Sequence, residues 1–234
     1  MNTSTILLIG FVGLVGLAIG FAMGRSQSAS PSFQNQGEAR LVHEARKHFA
    51  APDYHLMNHI TLQMQDGTTQ VDHILVSRFG VFVIETKHLN GWIFANAKHA
   101  TWTQVMFQKK SKFQNPIFQN FRHVRAVQDL LDFLPADLVK SVVVFTGDAE
   151  FKTEVPPGVF TLPKFVEHIR GHATDAISIN RVQLCVGRLE TARLAISKET
   201  DIEHVENLHR KHGSPPIRSI GRMRLGKPGR DPWL

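Results

Sequence analysis

A chain of 234 residues with 42% hydrophobic and 20% charged residues is globular in composition, with room for one ordinary domain plus appendages but not for two full ones. Lys and Arg number 27 against 20 Asp and Glu, a formal charge of +7 that favours polyanionic partners such as nucleic acid or anionic lipid. The single cysteine, Cys185, excludes a disulfide framework or a cysteine-based zinc site within one chain and fits a reducing compartment.

From Ile6 to Met23 runs the uncharged stretch ILLIGFVGLVGLAIGFAM, which as a helix would span about 27 Å and nearly match a hydrocarbon core. Met1 to Thr5 carry no Lys or Arg, so the basic start of a cleaved signal peptide is missing and an uncleaved single-pass anchor is expected. Arg25 follows the apolar run directly, and the positive-inside rule then turns the remainder toward the cytoplasm, from an inner or plasma membrane. Gly16 and Gly20 have the small-xxx-small spacing that suits a homodimer. Residues 1–24 are therefore read as a transmembrane anchor and the Ser/Gln-rich residues 25–36 as a polar linker.

Next, Leu41, Val42, Ala45 and Phe49 fall at helical spacing and predict an amphipathic helix over residues 37–50, with Glu38 in its first turn. Residues 54–64 and 69–77 read as strands, and a tight turn at Arg78 and Phe79 leads into the strand VFVIETK at 81–87. A short strand and a loop follow, with Trp92 expected to pack beside the sheet and close the region of the candidate site. Asn115 and Pro116 then look like a helix cap and first helical residue. Ile117, Phe121, Val124, Val127, Leu131 and Leu134 continue that helix, and VVVF at 142–145 suits a buried strand. Helices are expected over 162–170 and 180–211. The domain is placed at 37–172, a helical extension at 173–212 and a flexible basic tail at 213–234.

In a strand, residues i and i+2 share a face, so Glu85 and Lys87 of IETK point together. A two-residue loop at Arg78 and Phe79 pairs residues whose numbers sum to 157, and 72 plus 85 is such a pair. Asp72 is thus expected to face Glu85. Two adjacent carboxylates repel unless a cation or proton lies between them. Hard oxygen donors at this spacing suit Mg²⁺ or Mn²⁺, with Asp72, Glu85 and the Thr86 carbonyl as ligands. The competing reading is an ordinary charge cluster on a solvated sheet face. Glu38 precedes Leu41 and Val42 by three and four residues, where it either joins the acidic group or stabilises a helix N-terminus.

The run VDHILVSRFGVFVIETKHLNGWI, with W-x-Q at Trp102 to Gln104 and NPIFQN at Asn115 to Asn120, resembles the nuclease-related domain family, NERD. That family looks like a branch of the PD-(D/E)XK nuclease superfamily. The resemblance covers residues 37–134 and implies an α/β fold of restriction-endonuclease type, a mixed sheet flanked by helices, here preceded by one transmembrane helix. By position, Glu38 matches the acidic residue of the first helix and Asp72 the metal-binding aspartate. Glu85 and Lys87 match the E-x-K pair, and Gln119 the later polar residue. The implied activity is hydrolysis of phosphodiester bonds with Mg²⁺ or Mn²⁺, on DNA ahead of RNA, with Lys87 orienting water. The alternative is a non-catalytic module that holds nucleic acid at the membrane. No G-x(4)-G-K-[ST] loop is present, so any activity within this chain is ATP-independent.

Lys109, Lys110, Lys112, Arg122, His123 and Arg125 interleave with Phe107, Phe113, Phe118 and Phe121, a mixture suited to gripping phosphates and stacking on bases. The plainer reading makes Phe118 and Phe121 core residues and the cations a solvated face. His168 with His172, and His209 with His212, have metal-compatible helical spacing but lack a third ligand.

Overall fold

Between Tyr54 and Lys87, β-branched and aromatic residues are interrupted by two tight turns, and the chain folds into an antiparallel meander. Its strands are β1 (Tyr54–Met64), β2 (Gly67–Ser77) and β3 (Gly80–Lys87). This computed structural model describes residues 31–194, so the apolar stretch at 6–23 and the tail at 213–234 lie outside the described residues. Among the described residues, no helix is long and apolar enough to cross a membrane.

Strand β3 also pairs in parallel with β7 (Val139–Phe145), which pairs in parallel with β9 (Val159–Thr161), completing a mixed five-stranded sheet in the order β1-β2-β3-β7-β9. A second sheet, β6-β5-β4-β8, holds β4 (Gly91–Phe94), β5 (Thr101–Met106), β6 (Lys109–Gln114) and β8 (Ala149–Phe151). The parallel pair β3/β7 ends at Lys87 opposite Phe145 and resumes as the parallel pair β4/β8 at Gly91 opposite Ala149.

Helices cover both faces of the larger sheet. On one side, Val124 and Val127 of α2 (Pro116–Leu130) and Val182, Cys185 and Leu189 of α4 (Ile179–Ala192) pack on Ile74, Val76, Val81 and Val83. On the other, Leu41, Ala45 and Phe49, from α1 (Pro31–His48) and the residue after it, join Phe165 and Ile169 of α3 (Leu162–Arg170) against Phe82, Ile84, Val142 and Val144. The alternation Val81, Phe82, Val83, Ile84 supplies both cores from one strand, as a sheet buried on both faces requires.

The expected register holds. Pairs from Ser77↔Gly80 to His73↔Ile84 close on the loop Arg78–Phe79. Arg-Phe is poor two-residue hairpin chemistry, and tertiary contacts hold it instead. Ser77 Oγ accepts the Phe79 N–H at 3.2 Å and donates to the Gly80 carbonyl, Arg78 pairs with Asp53 and Asp175, and the Arg78 carbonyl accepts two N–H groups from Ala176 and Ile177.

Three local expectations are corrected. Helix α1 begins at Pro31, so Glu38 lies beyond its first turn and has no helix-terminus role. The segment expected as a loop after the short strand holds the β5–β6 hairpin, whose polar sequence hides its alternation; Trp102 anchors it by stacking on Phe145. The last described helix stops at Ala192, because Leu194 N bonds to Thr61 O and Arg193 bridges to Leu62 at the sheet edge.

Candidate functional site

Strict strand alternation breaks at one place in the meander. Met57 and Ile60, three residues apart, both enter the core beneath α2 and α4, and so do Val71 and Ile74 directly across from them. The irregular residues are Asn58 and His59 opposite Asp72 and His73, and His59 takes φ +51°, a value rarely adopted by a side-chain-bearing residue. At the same point the β2–β3 ladder ends at His73↔Ile84. Next in register stand Asp72 and Glu85, and there the Asp72 carboxylate accepts the Thr86 N–H at 2.8 Å.

Glu85 is only 1% exposed, which removes the reading of a solvated charge cluster. Its Oε1 accepts from Lys87 Nζ at 2.5 Å, and Lys87 Nζ also donates to Gln119 Oε1 at 3.0 Å. Helix α2 delivers Gln119 because its start is fixed. Asn115 Oδ1 caps the Ile117 N–H, its Nδ2 donates to the His99 carbonyl, and Asn120 Nδ2 ties the helix to the Val83 carbonyl of β3. Glu38 is buried and lies 3.4 Å from His59. Gly37 lets α1 come this close, since a Cβ there would sit 2.5 Å from His88 Cβ and 2.7 Å from Thr146 Oγ1. A cleft of about 470 Å³ opens at Glu38 and His59, lined also by His43, Arg46 and Asn58.

Burial, reinforced by the neighbouring Glu85, pushes the Asp72 carboxyl well above the usual range, against the opposing pull of Lys87 and the Thr86 N–H. Burial also opposes charge on Glu85, but Lys87 and His123 outweigh it and its pKa falls. Lys87 is held protonated in spite of burial by Glu85, Asp72 and Glu38, and burial together with Glu85 raises Glu38. The two facing carboxyls are therefore driven apart, with Glu85 ionised and Asp72 inclined to keep its proton. Burial and the neighbouring His59 lower His73 to about 3, so its imidazole is neutral beside Asn58.

Asp72, Glu85, Lys87 and Gln119 are thus brought together, and Glu38 lies within electrostatic reach of Glu85 and Lys87. Lys109, Lys110 and Lys112 are exposed on β6, and Arg122 and Arg125 lie on α2, all outside that cluster. Trp92 does not close the site: it is 49% exposed, with Lys152 Nζ 4.7 Å from its ring. Among the described residues no group of three or more His, Cys, Asp or Glu side chains could hold a metal ion. His168 and His172 instead pack their rings on Phe160 and Phe82.

Sequence reasoning placed neither His123, which it grouped with the basic residues of the helix, nor Thr69 beside Glu85. His123 follows Gln119 by four residues on the same helix face, a spacing that could have revealed it. Its Nδ1 is 2.7 Å from Thr69 Oγ1, and its Nε2 is 3.3 Å from Glu85 Oε2. A Thr69 hydroxyl donating to Nδ1 selects the tautomer with Nε2–H toward Glu85. That approach is long and poorly aligned, so Glu85 Oε2 remains a buried carboxylate oxygen without a well-formed hydrogen bond.

A paired carboxylate and lysine on one mixed-sheet strand, with a facing aspartate, is the pattern of nuclease-like α/β domains. The comparison with family models agrees: residues 34–146 match the nuclease-related domain, consistent with the PD-(D/E)XK-like superfamily. An uncharacterized protein of Bacillus anthracis is 39% identical over 103 residues, 44% of this chain and 49% of that protein, so the match spans about half the relative's length. No solved structure matches the chain.

Proposed function

We propose that this domain hydrolyses phosphodiester bonds in nucleic acid, DNA ahead of RNA, using Mg²⁺ or Mn²⁺ held by Asp72 and Glu85. The observation that carries the reading is the carboxyl pair itself, which falls next in register beyond His73↔Ile84, whose pKa values are pushed in opposite directions and whose Glu85 Oε2 has no aligned hydrogen-bond donor. The donor set fits such a cation: Mg²⁺ binds through one or two carboxylates and keeps several waters, and the Thr86 carbonyl is a further oxygen. When bound, the ion supplies charge neutralisation at the scissile phosphate and acidifies water. Lys87 carries a fixed positive charge into the site, where it orients the attacking water and offsets negative charge developing on the phosphate. Gln119 holds the Lys87 ammonium in place, and Glu38 adds negative potential at the site edge.

The apolar stretch at 6–23, followed by Arg25, supports a single-pass anchor that leaves the domain on the cytoplasmic side of the plasma membrane. Gly16 and Gly20 within it support a homodimer. A second reading, a non-catalytic module that holds nucleic acid, is favoured by one observation: Lys87 already compensates Glu85 internally at 2.5 Å. Incubating the full chain with labelled DNA and RNA, with EDTA or with Mn²⁺, separates the two. Metal-dependent products are expected, and binding without products in either condition would leave the tethering reading.

A further inference from the structure

Residues 86–128 carry seven Lys or Arg and no Asp or Glu. This stretch begins beside Glu85, contains Lys87 and Gln119, and forms β4, β5, β6 and most of α2. Its exposed side chains are more than cationic. On α2, Phe118, Phe121, Arg122 and Arg125 recur at helical spacing on the face next to Gln119. Phe118 is 44% exposed and Phe121 62%, so neither belongs to the core, and Arg122 has only a long contact of 3.8 Å with Asp66. At the tip of the β5–β6 hairpin, Phe107 is 94% exposed. It occupies the first loop position with φ +54°, a conformation that favours glycine, and is followed by exposed Lys109 and Lys110. A benzyl side chain held in strained backbone and burying nothing contributes nothing to the fold. Phe113, by contrast, packs against the core of the second sheet.

Exposed rings alternating with cations form a stacking platform, and every base offers a flat face to such a platform only when it is unpaired. We propose that the substrate strand is unpaired where it crosses this surface, its bases stacking on Phe118, Phe121 and Phe107 while Lys109, Lys110, Arg122 and Arg125 hold its phosphates. The inference rests on the hydrolytic reading only for the word substrate; the binding preference stands or falls without cleavage. A duplex hides its base faces and offers this surface phosphates alone. Lipid headgroups also attract cations beside exposed aromatics, but Gln119, which bonds Lys87, lies on α2 next to Phe118 and Arg122, and that nearness favours the strand that is to be cut.

The test measures anisotropy of labelled oligonucleotides in EDTA, where nothing is cut, with the full chain in detergent. A single-stranded 20-mer and a perfectly paired hairpin of equal phosphate number are compared. The expected result is tighter binding of the single strand. Phe118→Ala, Phe121→Ala and Phe107→Ala should each weaken it about five-fold or more and leave duplex binding unchanged. Trp at the same positions should retain the preference, whereas Leu, apolar but not flat, should lose it; thermal melting of each variant checks that the fold is intact. Equal affinity of the parent for both probes overturns the inference. So does an unchanged preference in the Ala variants, or a loss confined to binding of vesicles containing anionic lipid, which would assign the rings to a membrane. Preference without metal-dependent cleavage supports the inference and removes the hydrolytic reading, whereas cleavage without preference does the reverse.

Discussion

The β2–β3 and β5–β6 hairpins both close on two-residue loops and pair in regular antiparallel register, yet they hold their charges in opposite places. In the first, Asp72, Glu85 and Lys87 lie inside the fold and meet Thr86 N, Gln119 and His123. In the second, Lys109, Lys110 and Lys112 lie outside it, near the exposed Phe107 and with no acidic residue on either strand. Buried charges interact through a low effective dielectric and shift one another's protonation, whereas exposed charges are screened by water and salt. One hairpin is therefore built to tune chemistry and the other to attract a polyanion. Substitutions in the first should change turnover, stability and pH response, and those in the second should change the salt dependence of affinity.

The largest effect expected is on cleavage. Asp72→Asn and Glu85→Gln remove ligand charge with little change of shape, so rates should fall by factors of hundreds or more, about 3 kcal/mol or greater. Added Mn²⁺ should raise the melting temperature of the parent and leave the doubly neutral variant unmoved, since a ligand stabilises only the state that binds it. A melting shift that survives both substitutions would place the metal elsewhere.

Next in size is the support of Glu85. His123→Leu leaves Thr69 and a buried carboxylate without the imidazole, and should cost about 1–3 kcal/mol in denaturant unfolding. His123→Gln, which restores an N–H near the Glu85 carboxylate, should recover part of that loss. Equal stability of the Leu variant and the parent would reduce His123 to a space-filling residue.

The pH response of the metal-free domain comes third. The folded pKa of Asp72 is raised above its reference of 3.8, so its contribution is fully favourable below that value and is lost as pH rises through the folded pKa. Glu85 is lowered, so its contribution is present above 4.5 and is lost as pH falls. Unfolding in EDTA should therefore show the parent losing stability relative to Asp72→Asn as pH climbs from about 4 toward neutrality. A difference that is flat with pH would mean that Asp72 ionises as it does in water.

The smallest effect on the fold belongs to the second hairpin. Replacing Lys109, Lys110 and Lys112 with Ala should leave stability within about 0.5 kcal/mol of the parent. The slope of log affinity against log salt should nonetheless shrink by up to about 3. An unchanged slope would make these lysines an ordinary solvated face and erase the contrast between the hairpins.

Much of the site was legible because it is local. Strand period, a two-residue loop and the sum rule were enough to oppose Asp72 and Glu85, and Asn115–Pro116 announced the helix that carries Gln119. The β5–β6 hairpin was not legible, since Lys and Gln alternate weakly there and Trp102 finds its partner Phe145 from a strand far along the chain. Nor was the Thr69–His123–Glu85 contact, whose members come from three elements. By itself the sequence determined the three-stranded meander over residues 54–87, the register that brings Asp72 near Glu85, the helix after Asn115 and the acid-free stretch around Lys87. Only the tertiary structure decided that Glu85 is buried, that its pKa is pushed down while that of Asp72 is pushed up, and that Phe118 and Phe121 face water. The reason is physical: periodicity sets which face of an element a residue occupies, but burial and charge depend on what packs against that face.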